Sequence, residues 1–457
     1  MKNVKKPKKQ TSFIKDGTIL YELVGDENLQ QFLKYEHIPG IFSLVDDVEI
    51  NTILYTPPKN DLVASGTILL ATYPQEYGSV KALFQAIKRF IYKYVDVPEE
   101  YLVISSLYAM LTWVFDQFDV LPYMRVIGDF GTGKSRYLQV VGSVCYRACF
   151  AGGATTVSPI FRIIELYGGV TLVFDEADFR FSSATTDMVK ILNTGYMKGM
   201  PVLRTEGDGN NRRPVSYNTY GPKVIATRSS FEDLALESRC LSQIMSGKPR
   251  KDIPRHLPKS FKQESEELRN KLLMFRLKNY FDIQIDPSLE VEGLDSRINQ
   301  IALPILSIID DAEVLKMVQE VLKSIQGKLN IQKQDQDPAL VLRAIINLLR
   351  GGSYSIEYKD IAREINDISG NKSDYVDVLT PAKIGRVNRA NLDIATYKSG
   401  GITKIEYSQE NIKKIQQLAN KYAITEVDDV DLVEHCYGSD STLLQDEFTQ
   451  GIKDSLS

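Results

Sequence analysis

The chain has 457 residues, with 55 basic and 59 acidic side chains, a net charge of −4 and 43% apolar residues. That length exceeds one ordinary core, so two to four domains are expected, and the composition is that of a globular protein rather than a fibrous or disordered one. No apolar run reaches the roughly 20 residues that a bilayer span needs, no secretory signal pattern opens the chain, and the sparse cysteines and histidines exclude a disulfide framework or a Cys/His metal site. These features predict a cytoplasmic protein without a membrane partner.

Charge is unevenly placed. Residues 424–457 hold nine acids and one lysine, a net of −8 that leaves residues 1–423 at +4. A mildly basic body with an acidic tail suits a nucleic-acid partner, and the tail is a candidate docking segment for a protein. Residues 1–11 carry five lysines and read as a disordered basic arm. Residues 12–78 alternate β-branched and polar positions between prolines, which predicts a small β-rich domain. Leu83, Ile87, Phe90 and Ile91 have helical spacing, predicting a helix over 79–95, and a second, buried helix is expected over 99–118.

An α/β unit is then expected over 79–247. An apolar strand at 123–127 runs into Gly128-Asp129-Phe130-Gly131-Thr132-Gly133-Lys134-Ser135, the pattern G-x-x-x-x-G-K-S, with a helix-compatible run after it. Glycines at 128, 131 and 133 can take positive φ and curl backbone N–H groups around a phosphate chain. Lys134 is placed to reach the β/γ-phosphates of a nucleotide and the Ser135 hydroxyl to sit on Mg²⁺. Further apolar strands are expected at 148–151, 170–174, 223–227 and 240–245, with a helix at 159–167, the pattern of a parallel sheet covered on both faces.

The third strand ends in Asp175-Glu176. A carboxylate there can hold a Mg²⁺ shell (Asp175) and its neighbour can polarise the attacking water (Glu176). Thr227 ends the fourth strand and is the candidate contact to the γ-phosphate or the water. Arg239 opens the fifth strand, a position from which an arginine can act on a neighbouring subunit's nucleotide. Two other motifs are set aside. Asp175–Asp178 spells D-E-A-D, but no second nucleotide-clamping α/β domain follows, and the N-K-x-D at 371–374 falls in a turn rather than at a strand end.

Residues 248–330 are basic, Pro-interrupted and then helical. Residues 331–423 read as helix, helix, helix, strand–Gly-Gly–strand and helix, the winged-helix order. Within it, Thr380-Pro381 is a helix start, and Lys383, Arg386 and Arg389 form a basic stripe at spacing three that suits phosphate contact, with protein docking as the alternative. Around 202–215, an Asp-Gly-Asn-Asn turn between extended arms predicts a hairpin carrying Arg204, Arg212 and Arg213.

The loop at 128–135, Phe174-Asp175-Glu176, Ala226-Thr227 and Glu237-Ser238-Arg239 together resemble an AAA+ ATPase. The form of the loop, the Ser-Arg pair and the C-terminal element order resemble the MCM-like helicases, including those of bacterial mobile elements. The resemblance implies an AAA+ P-loop domain with a helical lid (248–330) and a C-terminal winged helix (331–423), using ATP and Mg²⁺. It implies a hexameric homo-oligomer acting on single-stranded or forked DNA, with Arg239 as a trans arginine. It makes the 202–215 hairpin a pore element whose arginines grip DNA phosphates, against the reading of a solvated surface hairpin. It also makes Arg297, with Arg269 behind it, the lid arginine that reaches back to the γ-phosphate. Threonine stands at 227, where that family normally has asparagine. The function expected is a DNA-translocating helicase. The alternative is an ATP-switched initiator, loader or regulator that assembles on DNA without unwinding it.

Overall fold

The computed structural model describes all residues except 1–6, 153–154, 176–182, 208–211, 232, 246, 248, 335, 354, 370–378 and 425–457. The chain divides into two compact units, residues 1–323 and 324–457.

The first unit opens with β1 (Lys8–Gln10), β2 (Phe13–Asp16), β3 (Ile19–Gly25), β4 (Gln30–Glu36), β5 (Ile41–Val45), β6 (Val48–Ile50) and β7 (Ile53–Thr56). Strands β2-β3-β4-β5 form an antiparallel meander, and β1-β7-β6 a second small sheet. β3 is buried on both faces, and Glu22 at its centre is only 1% exposed. Beyond β7 the segment runs back onto the next layer. Leu69 N–H donates to Ala148 O and Phe150 N–H to Thr67 O, both at 3.1 Å. Leu23, Val63, Ile68 and Leu70 share one apolar core with the strands that follow.

α1 (Val80–Tyr94) is amphipathic, with Ser79 capping its first turn and Leu83, Phe84, Ile87, Phe90, Ile91 and Tyr94 buried along one face. α2 (Glu99–Thr112) is buried from Tyr101 to Thr112. Its polar groups are satisfied internally: Ser105 donates to Tyr101 O and Ser106 to Leu102 O, at 2.6 and 2.7 Å. The helix expected to run to 118 stops at Thr112 and continues as a 3₁₀ turn, Phe115–Gln117.

Next come β8 (Tyr123–Ile127), α3 (Lys134–Gly142), β9 (Cys149–Ala151), α4 (Val157–Leu166), β10 (Leu172–Phe174), α5 (Ser183–Thr194), the hairpin strands β11 (Val202–Glu206) and β12 (Arg213–Tyr217), β13 (Lys223–Thr227), α6 (Leu234–Glu237) and β14 (Cys240–Ile244). The five strands other than the hairpin pair form one all-parallel sheet in the order β14-β8-β13-β10-β9. Strand β13, fourth of these in sequence, is inserted between the first and the third. The chain is therefore α/β, and near-continuous burial of β8, β10 and β13 is what apolar strands of a covered parallel sheet require. The helices α7 (Ser260–Asn279), α8 (Ser296–Leu306) and α9 (Ala312–Gln334) follow. α7 straps the 70–72 segment down: Arg269 Nε donates to Leu70 O and Thr72 N–H to Asn270 Oδ1, at 2.8 and 2.9 Å.

The second unit contains α10 (Asp337–Arg350), α11 (Tyr358–Ser369), α12 (Pro381–Val387), β15 (Thr396–Ser399), β16 (Ile402–Ile405) and α13 (Gln409–Lys421) around its own aliphatic core. α12 is shorter than expected because residues 388–392 adopt a π-turn. There the Asn388 amide both accepts from Ile394 N–H and donates to Ile394 O. Gly400 and Gly401 take φ of 59° and 80° at the ribbon turn, the conformation a two-residue hairpin favours. No described helix is long and apolar enough to cross a membrane.

Candidate nucleotide site

In an open parallel sheet the carboxyl ends of the strands, at the point where strand order reverses, form a natural crevice. Here a cleft of about 310 Å³ lies at that place, lined by Phe130 to Arg136, Asp175, Thr227 and Arg228. The loop from Gly128 to Gly133 links β8 to α3. Gly131 and Gly133 take φ of 73° and 92°, as expected. Gly128 does not take a positive φ; it is needed for a different reason, since a Cβ there would lie 2.7 Å from Thr132 Oγ1. That hydroxyl donates to Asp129 O at 2.8 Å and so ties the loop to itself.

Gly133 is the N-cap of α3 and supplies no side-chain cap, so the first-turn N–H groups of the helix are left for a ligand. Lys134 Nζ donates to Gly128 O at 2.6 Å and Asp129 O at 2.7 Å, curling over the loop. Asp175 and Ser135 line the same cleft. Thr227 is 1% exposed and, among the described residues, its hydroxyl has no hydrogen-bond partner. An unpaired buried hydroxyl at the rim of a phosphate-shaped loop is a costly feature unless a ligand completes it.

Together these residues fit a nucleoside triphosphate. The loop and helix N-terminus supply N–H groups, Lys134 supplies positive charge, and Thr227 has an open hydroxyl. Ser135 and Asp175 offer two oxygens to a Mg²⁺ ion, which ordinarily takes its remaining ligands from phosphate and water. Glu176 lies outside the described residues.

Two cleft residues had no role in the sequence reading. Arg136 donates to Pro254 O and Arg255 O, at 3.0 and 2.7 Å, joining α3 to the segment before α7. Arg228 is exposed, with its guanidinium 4.1 Å from the centroid of the Phe130 ring. Its signal was position alone: it follows Thr227 at the strand end.

The arginines expected to act on the nucleotide are placed differently. Arg239 lies at the amino ends of β8 and β14, about 15 Å along the strand from the loop. It is 8% exposed, donates to Asn193 Oδ1 and stacks on Tyr196 at 4.1 Å. Asn193 in turn donates to Asp233 at 2.6 Å and holds that carboxyl below its ordinary range. Arg239 is therefore turned inward rather than out of its own subunit. Arg297 also lies over the Tyr196 ring, 5.5 Å from its centroid, and Arg269 donates to Leu70 O and Ser143 O. Neither lies at the cleft, so the expected reach of the helical segment to the γ-phosphate is not what the structure contains.

The hairpin exists, with Val202 paired to Tyr217 and Glu206 to Arg213. Its inner face rests on α4: Arg204 lies 4.6 Å over Phe161, and Arg162 donates to Glu206 at 2.8 Å. Arg204 thus packs against its own subunit, a correction to its expected projection, whereas Arg212 and Arg213 are exposed beside the turn. In the second unit Lys383 is paired with Asp337 at 2.9 Å, while Arg386 and Arg389 are exposed.

No known family model and no curated protein matches the chain. Among solved structures, it is similar to the apo C-terminal region of NrS-1 at 11% identity and a TM-score of 0.38, covering 85% of this chain and 97% of that one. It is also similar to JCV helicase, at 10% identity and a TM-score of 0.24, over 56% of this chain and 62% of that one. A third similarity is to the Aeropyrum pernix ORC1 protein in complex with DNA, at 12% identity and a TM-score of 0.22, over 75% of this chain and 97% of that one.

Proposed function

We propose that this protein is an AAA+ ATPase that couples ATP hydrolysis to movement along DNA, working as a ring-shaped homo-oligomer of six subunits. The observation that carries the reading is the company Thr227 keeps. Its unpaired hydroxyl shares one cleft with Lys134, Ser135 and Asp175, on a strand inserted between theirs. In this reading residues 128–135 cradle ATP, Ser135 and Asp175 hold Mg²⁺, and Glu176 activates the water. The 331–423 unit serves as a winged helix that meets DNA through Arg386 and Arg389, with Arg212 and Arg213 as further phosphate contacts.

The deciding experiment is ATP-dependent separation of a labelled forked duplex, with Lys134→Ala and Glu176→Gln as controls. Separation lost in both variants supports the motor; no hydrolysis by the wild-type protein overturns the nucleotide reading itself.

A second reading, an ATP-switched initiator or loader that assembles on DNA without unwinding it, is favoured by Arg239 and Arg204. Both are packed against their own subunit. ATP-dependent assembly on DNA without strand separation would select it.

A further inference from the structure

We propose that the connection 249–259, between β14 and α7, is a contact surface for the phosphate backbone of a DNA strand, linked to the nucleotide cleft through Arg136. It rests on the DNA-acting reading above and adds a site to it. Residues 249–259 hold Arg250, Lys251, Arg255 and Lys259 against Asp252 alone. Arg250 is taken up internally. Its backbone N–H donates to Asp96 Oδ2 at 2.8 Å, and its guanidinium lies 3.6 Å over the Tyr92 ring and 3.7 Å from the Asp252 carboxylate. Lys251, Arg255 and Lys259 are exposed and, among the described residues, have no ion pair.

The backbone that carries these three charges is held. Arg136, at the start of α3, donates to Pro254 O at 3.0 Å and to Arg255 O at 2.7 Å. Ile253 N–H donates to Arg250 O at 3.3 Å, and Phe261 N–H to Pro258 O at 3.0 Å. The Phe261 ring stacks on Phe90 of α1 at 5.4 Å. Pro249, Pro254 and Pro258 each fix φ within the segment. Three like charges on a fixed backbone gain nothing from one another, and the arrangement becomes favourable when a polyanion meets them. A DNA strand carries a charge at every nucleotide, so it can engage such a row without regard to sequence and release counterions as it does so. Arg136 also lines the nucleotide cleft, so one side chain answers both to the nucleotide and to the segment that carries Arg255.

The test is fluorescence anisotropy of a labelled oligo-dT strand with the full chain, across a salt series. Combining Lys251→Ala, Arg255→Ala and Lys259→Ala is expected to weaken binding by about tenfold or more at low salt, and to make the slope of log K against log salt shallower by about two. ATP hydrolysis without DNA and the thermal midpoint should stay at the wild-type level, since all three side chains are exposed outside the cleft. Arg255→Lys alone should keep the wild-type slope. Saturating Mg²⁺–ATPγS is expected to change the wild-type affinity for the strand by about fivefold, and Arg136→Ala to erase most of that change at nucleotide concentrations that saturate both chains. An unchanged affinity and slope in the triple variant would overturn the surface and leave the DNA reading standing. Loss of poly-L-glutamate binding with oligo-dT binding intact would do the same and assign the surface to an acidic protein. No ATPγS effect in the wild type, or the same effect in Arg136→Ala, would overturn the link. A wild-type chain that binds no oligonucleotide would overturn the DNA reading together with the proposal.

Discussion

Glu22 and Arg276 are 254 positions apart in sequence, yet Arg276 Nε donates to Glu22 Oε2 at 3.0 Å, with both side chains about 1–2% exposed. The same carboxylate accepts from Arg147, and from the Tyr146 hydroxyl at 2.5 Å. Burial works against the Arg276 charge, but Asp116, Tyr146 and Glu22 outweigh it and hold the guanidinium ionised. One acid of the N-terminal meander thus bridges two buried arginines, one beside β9 and one on α7, and Asp116 supplies the second negative charge at Arg276. Glu22→Ala leaves Arg147 without its carboxylate and Arg276 with Asp116 alone, and removing one partner of a buried pair costs about 3–5 kcal/mol. The expected result is a lower urea midpoint with lost cooperativity between the meander and α7. A change below about 1 kcal/mol would mean that water replaces the carboxylate.

Gly128→Ala separates loop geometry from stability. The added methyl would meet Thr132 Oγ1 at 2.7 Å, and that hydroxyl donates to Asp129 O, so it can move aside only by giving up the bond that ties the loop to itself. Nucleotide affinity is expected to fall tenfold or more, which is about 1.4 kcal/mol or greater, with the thermal midpoint nearly unchanged. Replacing Thr132 by Ala in the same chain should restore part of the affinity. If the double variant binds no better than Gly128→Ala, the clash is not the cause.

How much of this was legible in the sequence depends on whether a signal was local. The strand before Gly128, the positive-φ glycines, and β13 with Thr227 at its end were readable because apolar runs and turn residues encode them within a few positions. Side-chain orientation was not. Arg239 and Arg204 have the right positions for outward roles, but Tyr196, Asn193 and Phe161 capture them, and those partners come from α4, from α5 and from the segment after it. Nor could periodicity reveal that Glu22, in an apolar strand, balances Arg147 and Arg276, because that pairing exists only once distant elements pack. The end of α12 is set locally, by the Asn388 amide closing on Ile394 six positions on, but through a side-chain contact that apolar periodicity does not encode.

Lys223 makes stability depend on pH. Its ammonium is fully buried, donates to the carbonyls of Gly195, Thr219 and Gly221 at 2.8–3.1 Å, and is pushed by burial from 10.5 down to about 7. Below about pH 7 the group is protonated in both folded and unfolded chains, and the fold bears the whole cost of burying the charge. Between about 7 and 10.5 the unfolded chain binds more protons than the folded one, so this lysine's contribution to stability rises with pH, by up to about 1.4 kcal/mol per unit. Lys223→Met should remove that slope. The difference in unfolding free energy between variant and wild type, followed by urea titration from pH 6.5 to 9.5, should favour the variant most at the acid end. A difference that does not vary with pH would show that the three carbonyls keep the ammonium charged throughout.

Thr227→Val sets function against stability at one atom. The hydroxyl is buried and has no partner among the described residues, so the isosteric methyl removes an unsatisfied group and should stabilise the fold, by up to about 1 kcal/mol. The same change takes from the cleft the polar group proposed to meet the γ-phosphate or the water. ATP hydrolysis is expected to fall at least tenfold, with the loss in kcat rather than in KM, because a contact made mainly in the transition state affects turnover and not ground-state binding. A stabilised, fully active variant would make the hydroxyl a packing accident. A destabilised one would mean that it has a hydrogen-bond partner in the folded protein after all, and would remove the case for Thr227 as the catalytic polar group of the cleft.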